Sequence, residues 1–231
     1  MRMRKGFTVC GSENNLFQSF GFESYRSLGS DTLIFEHLER HGVDELLIVS
    51  PISNPIYEPY RRYNFDGLEK MYVGIPVIVG GEMSDSVVSA LLEKGCVERF
   101  MFSGSLQDNQ NKVIDKVTRE AGRQAVLGCL ALRVDGDQQI WLFENSHQGY
   151  RKLKSYDIDR AYDICDEVIF QDMGSYGRAK HFSYDAILRV IRHPNRSILN
   201  GGIDPFREKL ASKAGIAAVY YDNTVMHSEN R

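Results

Sequence analysis

Two pairs of adjacent glycines carry the first chemical signal. In SILNGGIDPF, residues 197–206, Gly201-Gly202 separate an apolar run from a helix start. Asp204 is set to cap that helix and Pro205 to occupy its first turn. In IPVIVGGEMSD, residues 75–85, Gly80-Gly81 stand in the same place, and Ser103-Gly104 follow the next apolar run. Backbone N–H groups at such turns can close around an anion, because glycine permits close approach and a helix N-terminus carries partial positive charge. The expected ligand is a small phosphorylated molecule; the plainer expectation is two tight turns. The four cysteines, Cys10, Cys96, Cys129 and Cys165, include no CxxC pair, so no metal site and no cofactor is expected. Buried packing is their expected role.

These turns need strands and helices to place them. Short apolar runs occur at Phe7–Cys10, Glu45–Ser50, Pro76–Val79, Arg99–Ser103, Ala125–Leu132, Glu167–Gln171, Ser197–Leu199 and Ala218–Tyr221. Most are uniformly apolar rather than alternating, as in parallel strands covered on both faces. Amphipathic segments lie between them. In SDSVVSALLEKG, Ser84 or Asp85 can cap, Val87, Val88, Leu91 and Leu92 share a face, and Gly95 stops the helix. SDTLIFEHLERHG repeats the plan and stops at Gly42. Eight strands alternating with helices predict an α/β fold, a (β/α)8 TIM barrel forming one domain over residues 1–231. Residues 11–30 are expected to be a long loop after the first strand. VDGDQQIWLFEN is expected to be a hairpin turning at Asp135-Gly136. The expected eighth helix is missing from the sequence after the last strand, which would leave that flank for a partner.

The chain also repeats itself. Gly80-Gly81 match Gly201-Gly202, and VDELLIVS at 43–50 matches CDEVIFQD at 165–172, at nearly one offset of half a barrel. Two half-barrels in one chain are expected. The net charge of -3 gives no general basic footprint for nucleic acid, and no apolar run is long enough to span a membrane. A cytoplasmic protein is expected.

A half-barrel repeat with glycine pairs after the third and seventh strands resembles the histidine-biosynthesis barrels. HGVDELLIVSPIS, IPVIVGGEMSD, GRQAVLGCLALRVDG, CDEVIFQDMGSYG and SILNGGID are most similar to the cyclase subunit of imidazole glycerol phosphate synthase. The resemblance runs from about Arg4 to Asn223. It implies a mouth, at the C-terminal ends of the strands, that cyclises a doubly phosphorylated ribonucleotide. It also implies an opposite face that docks a glutaminase subunit, with ammonia passing through the barrel. Free ammonia in neutral water becomes ammonium, which is no nucleophile, so a conduit has a chemical reason.

Cyclisation of this kind needs a general acid and a general base across the ligand. The two family aspartates fall on Cys10 and on Leu130, or on Ala131 with a shift of one, so no catalytic residue is assigned. A family lysine falls on Gln18. Asp172, Asp222 and Asn223 are the remaining polar candidates at the mouth. Asp222 would stand across a short gap from a phosphate at Gly201-Gly202, where like charges repel. The family's ring of charges around the ammonia inlet falls on Arg4, Glu45, Arg99 and Glu167, with Glu98 replacing Arg99 if one residue is not inserted. All four signs suit a closed alternating ring. The expected function is an ammonia-conducting subunit of a glutamine amidotransferase complex that has lost cyclisation. A third, ammonia-accepting enzyme would then complete the reaction, as in relatives that amidinate surface-polysaccharide sugars. The alternatives are a genuine histidine-pathway cyclase, which would be a lyase, and a non-catalytic ligand-binding scaffold.

Overall fold

The computed structural model describes residues 2–12, 15–20, 24–40, 42–49, 74–81, 83–107, 111–144, 147, 149–178 and 181–222. Its strands are β1 (Arg4–Ser12), β2 (Asn15–Phe20), β3 (Ser24–Ser30), β4 (Glu45–Val49), β5 (Val77–Gly80), β6 (Arg99–Phe102), β7 (Val126–Val134), β8 (Ile140–Glu144), β9 (Gly149–Lys152), β10 (Glu167–Asp172), β11 (Ser197–Asn200) and β12 (Ala218–Tyr221). Its helices are α1 (Asp31–Arg40), α2 (Asp85–Lys94), α3 (Gly104–Gln107), α4 (Asn111–Ala121), α5 (Ser155–Ile164), α6 (Tyr184–Leu188) and α7 (Pro205–Lys213).

Eight parallel strands close into a barrel in the order β1-β4-β5-β6-β7-β10-β11-β12. The circle is completed by the pairing of β12 with β1, and β10 joins β7 directly. The apolar runs become strands because both faces are buried. One set of alternate residues, including Leu46, Ile48, Val168 and Phe170, faces the helices. The other set, Leu47, Val49, Ile78, Met101, Leu127, Cys129, Ile169, Ile198, Ala218 and Tyr220, fills the barrel interior. Each large aliphatic side chain buried this way contributes about 1.5–3 kcal/mol.

Local signals set the helix ends. Ser84 accepts from the Val87 N–H at 3.4 Å, and Gly95 closes α2 in the left-handed region. Asp204 accepts from the Arg207 N–H at 2.8 Å, with Pro205 at the start of α7. Both ends match the caps expected from sequence.

Residues 11–30 differ from the expected loop. Residues 11–12 continue β1, and 15–20 and 24–30 form the antiparallel pair β2–β3, with Cys10 opposite Phe17. The hairpin expected after the fifth barrel strand is present as β7–β8, and β9 extends it by one more strand. Asp135 holds its turn by accepting from the N–H groups of Asp137 at 3.0 Å and Gln139 at 2.9 Å. The segment after residue 222, where the eighth helix was expected to be missing, lies outside the described residues. Among the described residues, no helix is long and apolar enough to cross a membrane.

Candidate functional site

Because the barrel strands are parallel, the first residues of β1, β4, β6 and β10 meet at one end. Those residues are Arg4, Glu45, Arg99 and Glu167. Arg4 donates to Glu45 Oε1 at 2.7 Å and to Glu167 Oε1. Arg99 donates to Glu167 Oε2 at 2.6 Å, and its Nη1 lies 3.6 Å from Glu45 Oε1. The four charges therefore alternate in a closed ring. Side-chain exposure is 26% for Arg4, 9% for Glu45, and 12% for both Arg99 and Glu167, so the ring is not a solvated face. Glu98 does not take the place of Arg99. Its Oε2 accepts from the Val77 N–H at 2.6 Å.

The electrostatics follow from that burial. Burial disfavours the Glu167 carboxylate, but the hydrogen bond from Arg4 and the field of Arg99 outweigh it and hold its pKa below the ordinary value. Burial likewise opposes the Arg4 charge, and Glu167 and Glu45 more than restore it, leaving its pKa raised. Above this ring Leu47, Ile78, Met101, Leu127 and Ile169 put apolar side chains into the interior.

The opposite end, the mouth, is built differently. Cys10 faces the interior at the top of β1, on the side-chain alternation opposite to Phe7 and Val9. Burial pushes its thiol up to about 12, against a hydrogen bond with Ser19 that favours the thiolate. Burial likewise pushes Cys129 up to about 12. Both thiols stay protonated at neutral pH, so neither serves as the missing base. Leu130 must be corrected: it faces outward into the helix-packed layer, whereas Leu127 and Cys129 face inward. The inward position next along β7 is Ala131, because a one-residue step moves a strand side chain to the other face.

The two acids described at the mouth brace backbone. Asp172 Oδ1 accepts from the Gly174 N–H at 3.1 Å and Oδ2 from the Ser183 N–H at 2.8 Å. Asp222 Oδ2 accepts from the Gly177 N–H at 2.5 Å. Asn223 lies outside the described residues.

The second glycine pair is covered by the loop that follows β10. The Gly202 N–H donates to Ser175 Oγ at 3.2 Å. A Cβ on Gly202 would stand 2.0 Å from the Arg178 carbonyl oxygen and 2.6 Å from that of Ser175. The glycine is needed there because the chain's own backbone occupies the space a ligand would use. The first pair sits at the end of β5, with Gly80 beside Met101 of β6. Ser103 and Gly104 follow β6 directly, so the two turns stand at the C-terminal ends of neighbouring strands.

Sequence reasoning missed a run of neutral polar side chains facing the interior just below the mouth. Thr8 Oγ1 donates to Asn200 Oδ1 at 3.3 Å, and Cys129 Sγ donates to Gln171 Oε1 at 3.3 Å. Gln171 and Asn200 are register partners on neighbouring strands. Both are buried, and the NH2 groups of both lack a hydrogen-bond partner among the described residues. The available signal was the alternation, since each lies two residues after an inward isoleucine, Ile169 or Ile198. Gln18 is buried on β2, with neither amide atom hydrogen-bonded among the described residues. Among the described residues, no group of three or more His, Cys, Asp or Glu side chains could hold a metal ion. Compared with known proteins, the chain matches no family model, and no curated protein matches it.

Proposed function

We propose that this chain is the cyclase-like, non-cyclising subunit of a glutamine amidotransferase complex. It takes ammonia from a glutaminase docked at the N-terminal end of the barrel and conducts it to an acceptor at or beyond the mouth. In this reading the barrel is a doubled half-barrel. The observation that carries the reading is the closed ring of Arg4, Glu45, Arg99 and Glu167 beneath the apolar side chains Leu47, Ile78, Met101, Leu127 and Ile169. A charged closure on an apolar lane suits a small neutral molecule that must be kept from water. The mouth supports the same reading. Cys10 is a protonated thiol, Ala131 has no titratable group, and Asp172 and Asp222 hold loops. An acid and a base facing each other across a ligand are the parts a cyclase needs.

The deciding experiment mixes the chain with the glutaminase encoded nearest to it and measures complex formation and glutamine hydrolysis. A stable complex with stimulated hydrolysis is the expected result. No complex and no stimulation would defeat the proposal. Growth of a cyclase-deficient, histidine-requiring strain carrying this chain would favour the genuine histidine-pathway enzyme instead.

A further inference from the structure

Glu45 is held unlike the other carboxylate of the ring. Glu167 receives one arginine on each oxygen. Glu45 gives a single oxygen, Oε1, to both Arg4 and Arg99, and the 3.6 Å separation from Arg99 is beyond a hydrogen bond. The Glu45–Arg99 side is thus the weakest in the ring. The other oxygen of Glu45, Oε2, accepts from the phenol of Tyr220.

Tyr220 reaches Glu45 by an unusual route. It enters the interior from β12, and β1 lies between β12 and β4. Gly6 of β1 is the register partner of both Tyr220 and Glu45. A Cβ on Gly6 would lie 2.2 Å from Tyr220 Cδ1, 2.4 Å from Cε1 and 2.8 Å from Cγ. The aromatic ring therefore crosses β1 through the gap left by the absent side chain, and its hydroxyl lands on the next strand. Tyr220 is fully buried, and burial together with Glu45 keeps the phenol protonated as a donor.

We propose that Tyr220 is an inner latch on the charged ring: its hydroxyl holds Glu45 in place, and the barrel interior opens toward the N-terminal end only when that hydrogen bond breaks. The inference rests on reading that end as a closure over a conduit. It adds a gating residue that lies outside the four charges and acts through one of them.

Leu47 supplies a reporter position. It is fully buried in the interior, two residues along β4 from Glu45. In a Leu47→Cys background, methylthiolation of position 47 by methyl methanethiosulfonate is followed by mass mapping. Tyr220→Phe and, separately, Arg4→Ala are added, with folding checked by circular dichroism. If Leu47→Cys does not fold, Leu127→Cys, the register partner of Glu167, takes its place. Tyr220→Phe is expected to speed labelling at least about tenfold, the weight of one hydrogen bond to a charged group, and Arg4→Ala to speed it as well. If Arg4→Ala speeds labelling and Tyr220→Phe does not, the latch is overturned while the closure stands. If neither does, the ring closes nothing and both readings fall. If only Tyr220→Phe does, the phenol seals the barrel by itself, which also overturns a latch acting through Glu45.

Discussion

The two ends of this barrel use carboxylates in opposite ways. At the N-terminal end, Glu45 and Glu167 are paired with arginines from other strands, far away in sequence. At the mouth, Asp172 and Asp222 are paired with the backbone N–H groups of Gly174, Gly177 and Ser183. A side-chain partner can swing away and return. A backbone partner fixes the loop that carries it. The same functional group pairs with arginine side chains at one end and braces backbone at the other, and burial alone does not separate the two.

Several substitutions test that contrast, beginning with the largest effect. Glu167→Ala leaves Arg4 and Arg99 buried without their shared carboxylate. The expected cost is about 3–5 kcal/mol, read from urea unfolding. A cost under about 1 kcal/mol would show that the ring behaves as exposed surface charge and would erase the contrast. Asp222→Ala leaves the Gly177 N–H without its acceptor and is expected to cost about 1–3 kcal/mol by the same measurement. Gly202→Ala forces the loop off the turn, because its Cβ would overlap the Arg178 carbonyl. The expected cost is about 1–3 kcal/mol, with altered chemical shifts across residues 173–178.

Acid titration separates the ends further. The Glu167 pKa is held below its ordinary value of 4.5, so its stabilisation is fully present above that value. It is lost as the pH falls through the depressed value. Unfolding midpoints taken from neutral pH down through this range should show the loss in the parent chain and a smaller one in Glu167→Ala. The smallest effect is expected outside the ring. Arg2 pairs with Asp44 at 2.7 Å, but 74% of its side chain is exposed. Arg2→Ala should cost less than about 1 kcal/mol.

Much of the scaffold is legible in the sequence. All eight barrel strands fall where uniform apolar runs predicted them, because burial on both faces demands such runs. The four ring positions came from resemblance, and the structure gathers them within ion-pairing distance. The segment 11–30 was not legible as strands. Its serines and glycines read as turn chemistry, while β2 forms because the extended end of β1 offers an unpaired edge. Leu130 was misplaced because an apolar run buried on both faces carries no mark of which residue faces in. Gln171 and Asn200 were overlooked because a polar residue ending an apolar run looks like the end of the strand. Their meaning depends on neighbours that only the closed barrel supplies.

Gly6 and Tyr220 also constrain how this chain can change over time. A side chain at position 6 collides with the flank of the aromatic ring, at Cδ1 and Cε1, not at a movable tip. A descendant with alanine at position 6 must first have exchanged Tyr220 for something smaller. The reverse order passes through a chain in which the new Cβ overlaps the Tyr220 ring. The two positions form an ordered pair of mutational steps, so among true descendants a side chain at position 6 should never accompany an aromatic at position 220.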